Sequence, residues 1–195
     1  MNKFLRILSL ASLALGLIAS AHAATETYAI DPVHSSVGFS IRHVFSKVPG
    51  SFTKFSGNIT LDRADLEQSS VETTIEIGSL DTRSAKRDSD VQGAEYFNTA
   101  KHPAITFKST AWKKTGADTY DVTGNLTIKG VTKSVVLQVK QLGFGPGLMG
   151  AYVSGWDVTT TLNRHDFGVD GPGWLGKAIG DEVAVTISIE ADLKK

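Results

Sequence analysis

Tyr120-Asp-Val122-Thr-Gly124-Asn-Leu126-Thr-Ile128-Lys129-Gly130-Val131-Thr-Lys-Ser-Val135-Val-Leu137-Gln-Val139 is the stretch that decides the fold. Tyr120, Val122, Gly124, Leu126 and Ile128 share one parity, and Val135, Leu137 and Val139 resume the alternation beyond Lys129-Gly130. Period-two alternation marks a half-buried strand, and a two-residue link ending in glycine marks a tight hairpin, so the two strands run antiparallel. Outward from this hairpin the pattern recurs upstream in Val37-Phe39-Ile41, Phe55-Gly57-Ile59-Leu61, Val71-Thr73-Ile75-Ile77 and Ile105-Phe107. Downstream it returns in Tyr152-Ser154-Trp156-Val158-Thr160-Leu162 and Val183-Val185-Ile187-Ile189. Lys114 to Asp118 is a second, slightly longer hairpin link. The sum is about eight antiparallel strands, which close as an up-and-down barrel or fold into a sandwich.

Two kinds of segment interrupt the alternation. Between Ser84 and Asn98 the charged Arg87, Asp88, Asp90 and Glu95 mingle with Val91, Ala94, Tyr96 and Phe97 without period two, which predicts a short helix ended before His102-Pro103. Gly143 to Gly150 and Gly168 to Gly180 are glycine-rich, contain Pro146 and Pro172, and are expected to be loops, the second long enough for a lid or rim.

The chain has 195 residues, 41% of them hydrophobic, with 20 Lys+Arg, 20 Asp+Glu and no cysteine. Met1 to Arg6 form a basic start, Ile7 to Ile18 are apolar, and Ala21-His22-Ala23 is a small-x-small cleavage site. This is the grammar of a secretory signal, and a run of about twelve apolar residues is too short to span a bilayer. Residues 1–23 are therefore expected to be a signal peptide and 24–195 one barrel domain, exported to the periplasm. Cleavage removes Lys3 and Arg6 and no acid, which leaves a net charge of about −2. A slightly acidic chain without basic clusters lacks the electrostatic footprint of a nucleic-acid binder, and neither nucleic acid nor an anionic membrane surface is expected as a partner. Without cysteine there is no disulfide and no thiol catalysis, so the core alone holds the fold.

The motifs that suggest chemistry fail on context. Gly171 to Lys177 has the spacing of a phosphate-binding loop, but Ala178 stands where Ser or Thr would hold magnesium, and the segment lies between antiparallel strands. His34 and His43 have opposite parity, so an unbroken strand would send them to opposite faces; no metal site and no cofactor is expected. Arg87-Asp88 and Asn163-Arg164-His165-Asp166 are the densest polar clusters, and a salt-bridged latch between helix and barrel is favoured over a head-group site at the mouth. An excess of aromatics at alternating positions, among them Phe39, Phe55, Phe107 and Trp156, fits either a packed core or a cavity wall.

Taken together, Asp31-Pro-Val-His34-Ser35, Val37-Gly-Phe39, Arg42-His43, Phe52-Thr-Lys-Phe55-Ser-Gly57-Asn-Ile59, Arg87-Asp88, Glu95-Tyr96-Phe97 and Pro103-Ala-Ile-Thr106-Phe107-Lys-Ser109 resemble the YceI-like family. Gly124 to Thr132 and Asn163-Arg164-His165-Asp166-Phe167-Gly168 extend the resemblance over nearly the whole mature chain. The resemblance implies an all-β, eight-stranded antiparallel, lipocalin-like barrel with a short helical segment and an elongated apolar tunnel. It implies a non-enzymatic binding protein whose partner is a long-chain isoprenoid, polyprenyl or quinone-type, or a similar amphiphilic lipid. Candidate ligand-binding residues are Phe39, Ile41, Phe55, Ile75, Phe97, Phe107, Leu126, Trp156 and Phe167, with His43 and Arg164 as polar contacts. Transient membrane contact and a homodimer are compatible with such a carrier. Two rivals remain: a ligand-free envelope-stress protein with a solid core, and a lipid head-group hydrolase or isomerase using His43, or His165 with Asp166.

Overall fold

The computed structural model describes residues 25–194, so the proposed signal peptide lies outside the described residues. Eleven strand segments appear in chain order: β1 (Glu26–Ile30), β2 (Ser36–His43), β3 (Ser46–Phe52), β4 (Phe55–Leu61), β5 (Ser70–Glu76) and β6 (Leu80–Asp81). One helix, α1 (Ala85–Gln92), precedes β7 (Ala104–Lys114), β8 (Thr119–Ile128), β9 (Val131–Pro146), β10 (Tyr152–Asn163) and β11 (Ile179–Leu193). All pairings are antiparallel, and β1-β4-β5-β7-β8-β9-β10-β11 closes on itself where Tyr28 and Ile30 meet Leu193 and Ala191. The protein is thus an eight-stranded closed antiparallel barrel.

The other three segments continue strands of the ring past a bend. β2 replaces β1 as neighbour of β11 after Asp31–Ser35, β3 leads into β4 across Thr53-Lys54, and β5 leads into β6 across Ile77–Ser79. At the first bend Ser35 stands in for a ladder residue, its Oγ donating to the Glu190 carbonyl at 3.1 Å and accepting from the Glu190 amide at 3.0 Å. Asp31 turns the same corner, accepting from the Val33 amide at 2.7 Å and pairing with His34 Nδ1 at 2.6 Å. The sheet ends at β6, whereas β7 begins opposite Glu76 of β5. Above the bends, hydrogen bonds do not close the wall between β6 and β7. Residues 82–103, including α1, occupy that gap.

α1 starts where Ser84 Oγ accepts from the Arg87 amide and ends at Gly93, within the helical stretch the charge mixture predicts. Lys129 and Gly130, both at positive φ, make the tight β8–β9 turn. The Gly143–Gly150 expectation needs correction, because β9 extends to Pro146 and pairs with β10 as far as Tyr152. A bulge between Gly155 and Trp156 leaves Leu142 without an opposite residue, so the buried-side parity of β9 changes from Val139 to Phe144. A bulge between Ser109 and Ala111 does the same on β7, bringing Trp112 to the side of Phe107. β1, β3 and β6 carry little sequence signal: β1 and β6 are short, and Pro49-Gly50 breaks the pattern of β3.

Candidate functional site

A cavity of about 670 Å³ fills the barrel, with walls of inward-facing side chains from the strands and from the segment carrying α1. Its floor is an aromatic cluster. Trp112 and Trp156 meet edge to face with centroids 5.7 Å apart, Phe144 packs on Trp156 at 5.6 Å, and Tyr28 on Phe144 at 6.3 Å. The Trp156 indole N–H is satisfied by buried Ser154 Oγ at 3.1 Å. Outside the floor the Arg63 guanidinium lies over the rings of Phe144 and Tyr152, at 5.2 and 5.3 Å from their centroids. Burial raises the Tyr28 phenol well above its ordinary range, reinforced by its hydrogen bond to Glu26 Oε2 at 2.6 Å.

The opposite end is the mouth. The β2–β3 tip with His43, the α1 segment with Lys86, Arg87 and Asp90, and the Gly168–Gly180 stretch with Trp174 and Leu175 surround it. All eleven candidate residues from the sequence contribute to the cavity wall: Phe39, Ile41, His43, Phe55, Ile75, Phe97, Phe107, Leu126, Trp156, Arg164 and Phe167. Sequence reasoning left out Tyr96, Val91, Val169 and Leu175, whose segments have no alternation to assign a face. Two glycines shape the wall. A Cβ on Gly50 would fall 2.3 Å from Phe39 Cζ, and one on Gly124 would fall 2.3 Å from Phe107 Cζ, so the tip of each ring occupies the space a side chain would need on the neighbouring strand.

The polar clusters close locally instead of latching helix to barrel. Arg87 donates Nε to Thr82 Oγ1 at 2.8 Å and Nη2 to the Thr82 carbonyl at 2.6 Å. Asp88 Oδ1 accepts from the Thr82 amide at 2.9 Å and from its hydroxyl. Buried Arg164 donates Nε to the Gly180 carbonyl at 2.9 Å and Nη1 to the carbonyls of Val169, at 3.0 Å, and Asp170. Its Nη2 faces Asp181 at 3.6 Å. Most of that guanidinium is committed to holding the mouth loop, because three carbonyls and a carboxylate are the partners a buried cation needs. The His165–Asp166 pair invoked by the hydrolase or isomerase rival does not form. His165 Nδ1 meets Asp170 Oδ1 at 2.5 Å and Nε2 meets Asp181 Oδ1 at 3.0 Å; these carboxylates, Asp170 first, raise the imidazole above its ordinary pKa. His165 is not part of the cavity wall, and the His43 ring makes no hydrogen bond to a carboxylate among the described residues.

Asp31, His34 and Glu190 bring ligand-type atoms within 4.8 Å of one another, but none of the three lines the cavity.

Comparison with known proteins places this geometry. A family model for the YceI-like domain matches residues 28–191. The chain belongs to the YceI-like family. An UPF0312 protein of Azotobacter vinelandii is 40% identical over 187 residues, covering 93% of this chain and 96% of the relative. An UPF0312 protein of Ectopseudomonas mendocina is 40% identical over 186 residues, with 93% and 96% covered. Among solved YceI-like structures and their neighbours, Burkholderia cenocepacia BcnA superposes with a TM-score of 0.76 at 28% identity, covering 83% of this chain and 98% of its own. A polyisoprenoid binding domain from Saccharophagus degradans, implicated in plant cell wall breakdown, shares the fold at a TM-score of 0.65 and 17% identity, with 86% and 98% covered.

Proposed function

We propose that the protein is a non-enzymatic carrier which holds a long-chain isoprenoid, or a similar amphiphile, with its tail in the barrel and its polar end at the mouth. The observation that carries this reading is the cavity of about 670 Å³, apolar along its walls and floored by aromatics. A core packed solid would have no such space. At about 25 Å³ per carbon, the allowance of a benzene-sized cavity, this lumen takes roughly 27 carbons, or about five isoprene units. A longer chain extends through the mouth. At about 0.3 kcal/mol per buried atom the contained part gains roughly 8 kcal/mol from water, a micromolar affinity. The same tail is equally apolar in a bilayer, so exchange between membrane and barrel is close to neutral, as a shuttle requires.

The polyisoprenoid-binding description of the S. degradans domain, which shares this fold, agrees with that class of cargo. The basic start and Ala21-His22-Ala23 support export to the periplasm, which cell fractionation and the amino-terminal mass of the exported protein will test. The cargo is tested by native mass spectrometry of protein purified from its own cells without detergent, followed by solvent extraction. A stoichiometric added mass that extracts as a prenyl lipid is the expected result. Bare protein that also refuses added prenyl lipids overturns the carrier reading.

A further inference from the structure

Two exposed segments meet at the mouth. The tip of the β2–β3 hairpin presents Val44, 43% exposed, and Phe45, fully exposed; the stretch Gly173–Ala178 presents Trp174, 83% exposed. They are stitched together. The Val44 amide donates to the Ala178 carbonyl at 2.7 Å, and Arg42 donates Nη1 to the Val44 carbonyl and Nη2 to the Lys177 carbonyl, each at 3.0 Å. Two large aromatic side chains are thus held in water by a built connection. A monomer in water gains nothing from that arrangement, and an exposed apolar patch rimmed by charged side chains marks a surface with a partner.

The charges identify that partner. Residues 42–47 and 173–179 contain Arg42, Lys47 and Lys177 and no acid. Of the acids around the mouth, Asp170 and Asp181 face His165 and Arg164 and Asp90 pairs with Lys86, whereas Glu95 and Glu182 have no cationic partner among the described residues. Lys47 and Lys177 have no acidic partner among the described residues. Aromatics beside lysines are the side chains that settle at a bilayer interface, with rings among the acyl–headgroup boundary and ammonium groups toward anionic headgroups. The patch is also continuous with the cavity, because Trp174, Leu175 and His43 line its mouth. A near-zero net charge over the whole chain conceals this local arrangement.

We infer that the mouth docks on an anionic lipid bilayer, inserting Val44, Phe45 and Trp174 with Lys47 and Lys177 against the headgroups. This deepens the carrier reading and rests on it for the passage of cargo, whereas the docking itself needs only the rim. The tryptophans make the test specific: Trp112 and Trp156 are buried and only Trp174 is exposed. The full-length mature protein is mixed with phosphatidylcholine vesicles containing about 30% phosphatidylglycerol and no isoprenoid, and with vesicles of phosphatidylcholine alone. Docking gives a blue shift of Trp174 emission and quenching by brominated acyl chains on the anionic vesicles, both reduced by salt. At about fivefold in partition per cation, Lys47→Glu with Lys177→Glu reduces flotation by at least about 25-fold. Phe45→Ser, an exposed change that leaves far-UV circular dichroism unaltered, reduces it further.

Unquenched Trp174, or variants that float as well as the parent, overturns the inference. A blue shift that follows protein concentration without vesicles assigns the patch to a second copy and also overturns it. Because the vesicles contain no cargo, a protein that carries prenyl lipid but does not float refutes docking alone. One that floats but holds no lipid refutes the carrier reading alone.

Discussion

Replacing Gly50 by alanine should shorten the cargo the barrel accepts. The new Cβ would lie 2.3, 2.7 and 2.9 Å from Phe39 Cζ, Cε1 and Cε2, distances that no pair of carbons sustains. The three nearest atoms all belong to that one side chain, so the phenyl ring must leave the wall, and the lumen is the open space beside it. A phenyl ring needs about 150 Å³, the benzene-sized allowance, or roughly a fifth of a lumen of about 670 Å³. Because the ring also vacates its old place, that bounds the loss at about six carbons of tail, roughly 1.8 kcal/mol at about 0.3 kcal/mol per atom, or at most about twentyfold in affinity. The loss falls on a chain of about five isoprene units, which fills the lumen, and spares one of about three units, which needs only about 375 Å³. Displacement of a fluorescent apolar dye by the two chains measures it. Gly50→Ala combined with Phe39→Ala should restore the longer chain. Equal losses for both lengths, or no loss with the ring displaced in a crystal structure, would refute the geometric reasoning.

Arg164→Ala leaves the carbonyls of Gly180, Val169 and Asp170 without their donor and should cost about 3 kcal/mol in urea unfolding, with Arg164→Lys recovering little because an ammonium lacks the planar fork. The His165 link to Asp170 and Asp181 raises the folded-state pKa, so its contribution is full below the ordinary histidine value and fades as pH rises through the raised one. Amide exchange at residues 169–171, corrected for intrinsic rate, should therefore accelerate over that window, and His165→Gln should flatten the profile. Phe107→Asp places a carboxylate in the apolar wall and should abolish lipid retention while the barrel remains partly folded; undiminished retention would remove that strand face from the binding surface. Hydrogen exchange should be slowest in β8–β11 and the paired part of β1, and fast in residues 82–103, where no neighbouring strand supplies a ladder.

The barrel was legible because its wall is written in period two. Phe39, Ile41 and His43 of β2 share a parity and all reach the lumen, and on β8 Leu126 follows Val122 inward in the same way. Reading by parity alone breaks where a bulge adds a residue: Trp112 has the opposite parity to Phe107, yet both face in. Phe144 disappeared between Gly143 and Gly145, since glycines on both sides leave one apolar residue without a repeat. The mouth was legible as composition but not as partnership. Arg164 was visible within a polar cluster flanked by apolar residues, but its hydrogen-bond partners are main-chain carbonyls, which every residue possesses and no sequence distinguishes. Asp170 and Asp181 reach His165 only because the Gly168–Gly180 stretch folds back, whereas Asp166, adjacent in sequence, makes no pair with it.

The division between a ring closed by hydrogen bonds and a mouth that is not closed explains how one fold can keep a cavity and still exchange its contents. Below the bends at Asp31–Ser35, Thr53-Lys54 and Ile77–Ser79 every strand has two partners, and the aromatic floor joins strands from opposite parts of the chain. Opening the cavity there would break ladder bonds and aromatic contacts together, at a cost that approaches global unfolding. Above the bends, the gap between β6 and β7 is held by Thr82 with Arg87 and Asp88, while Arg164 and His165 hold the facing loop. Water can replace each of these polar contacts when the segment moves, but Val91, Tyr96 and Phe97 also pack against the core, Phe97 meeting Phe52 edge to face at 6.4 Å. Apolar packing is thus present at both ends, and the mouth differs in having no strand ladder between β6 and β7. In the proposed carrier, the part that would open for a tail is tied by a few aromatic and aliphatic contacts and by hydrogen bonds that water can exchange one at a time.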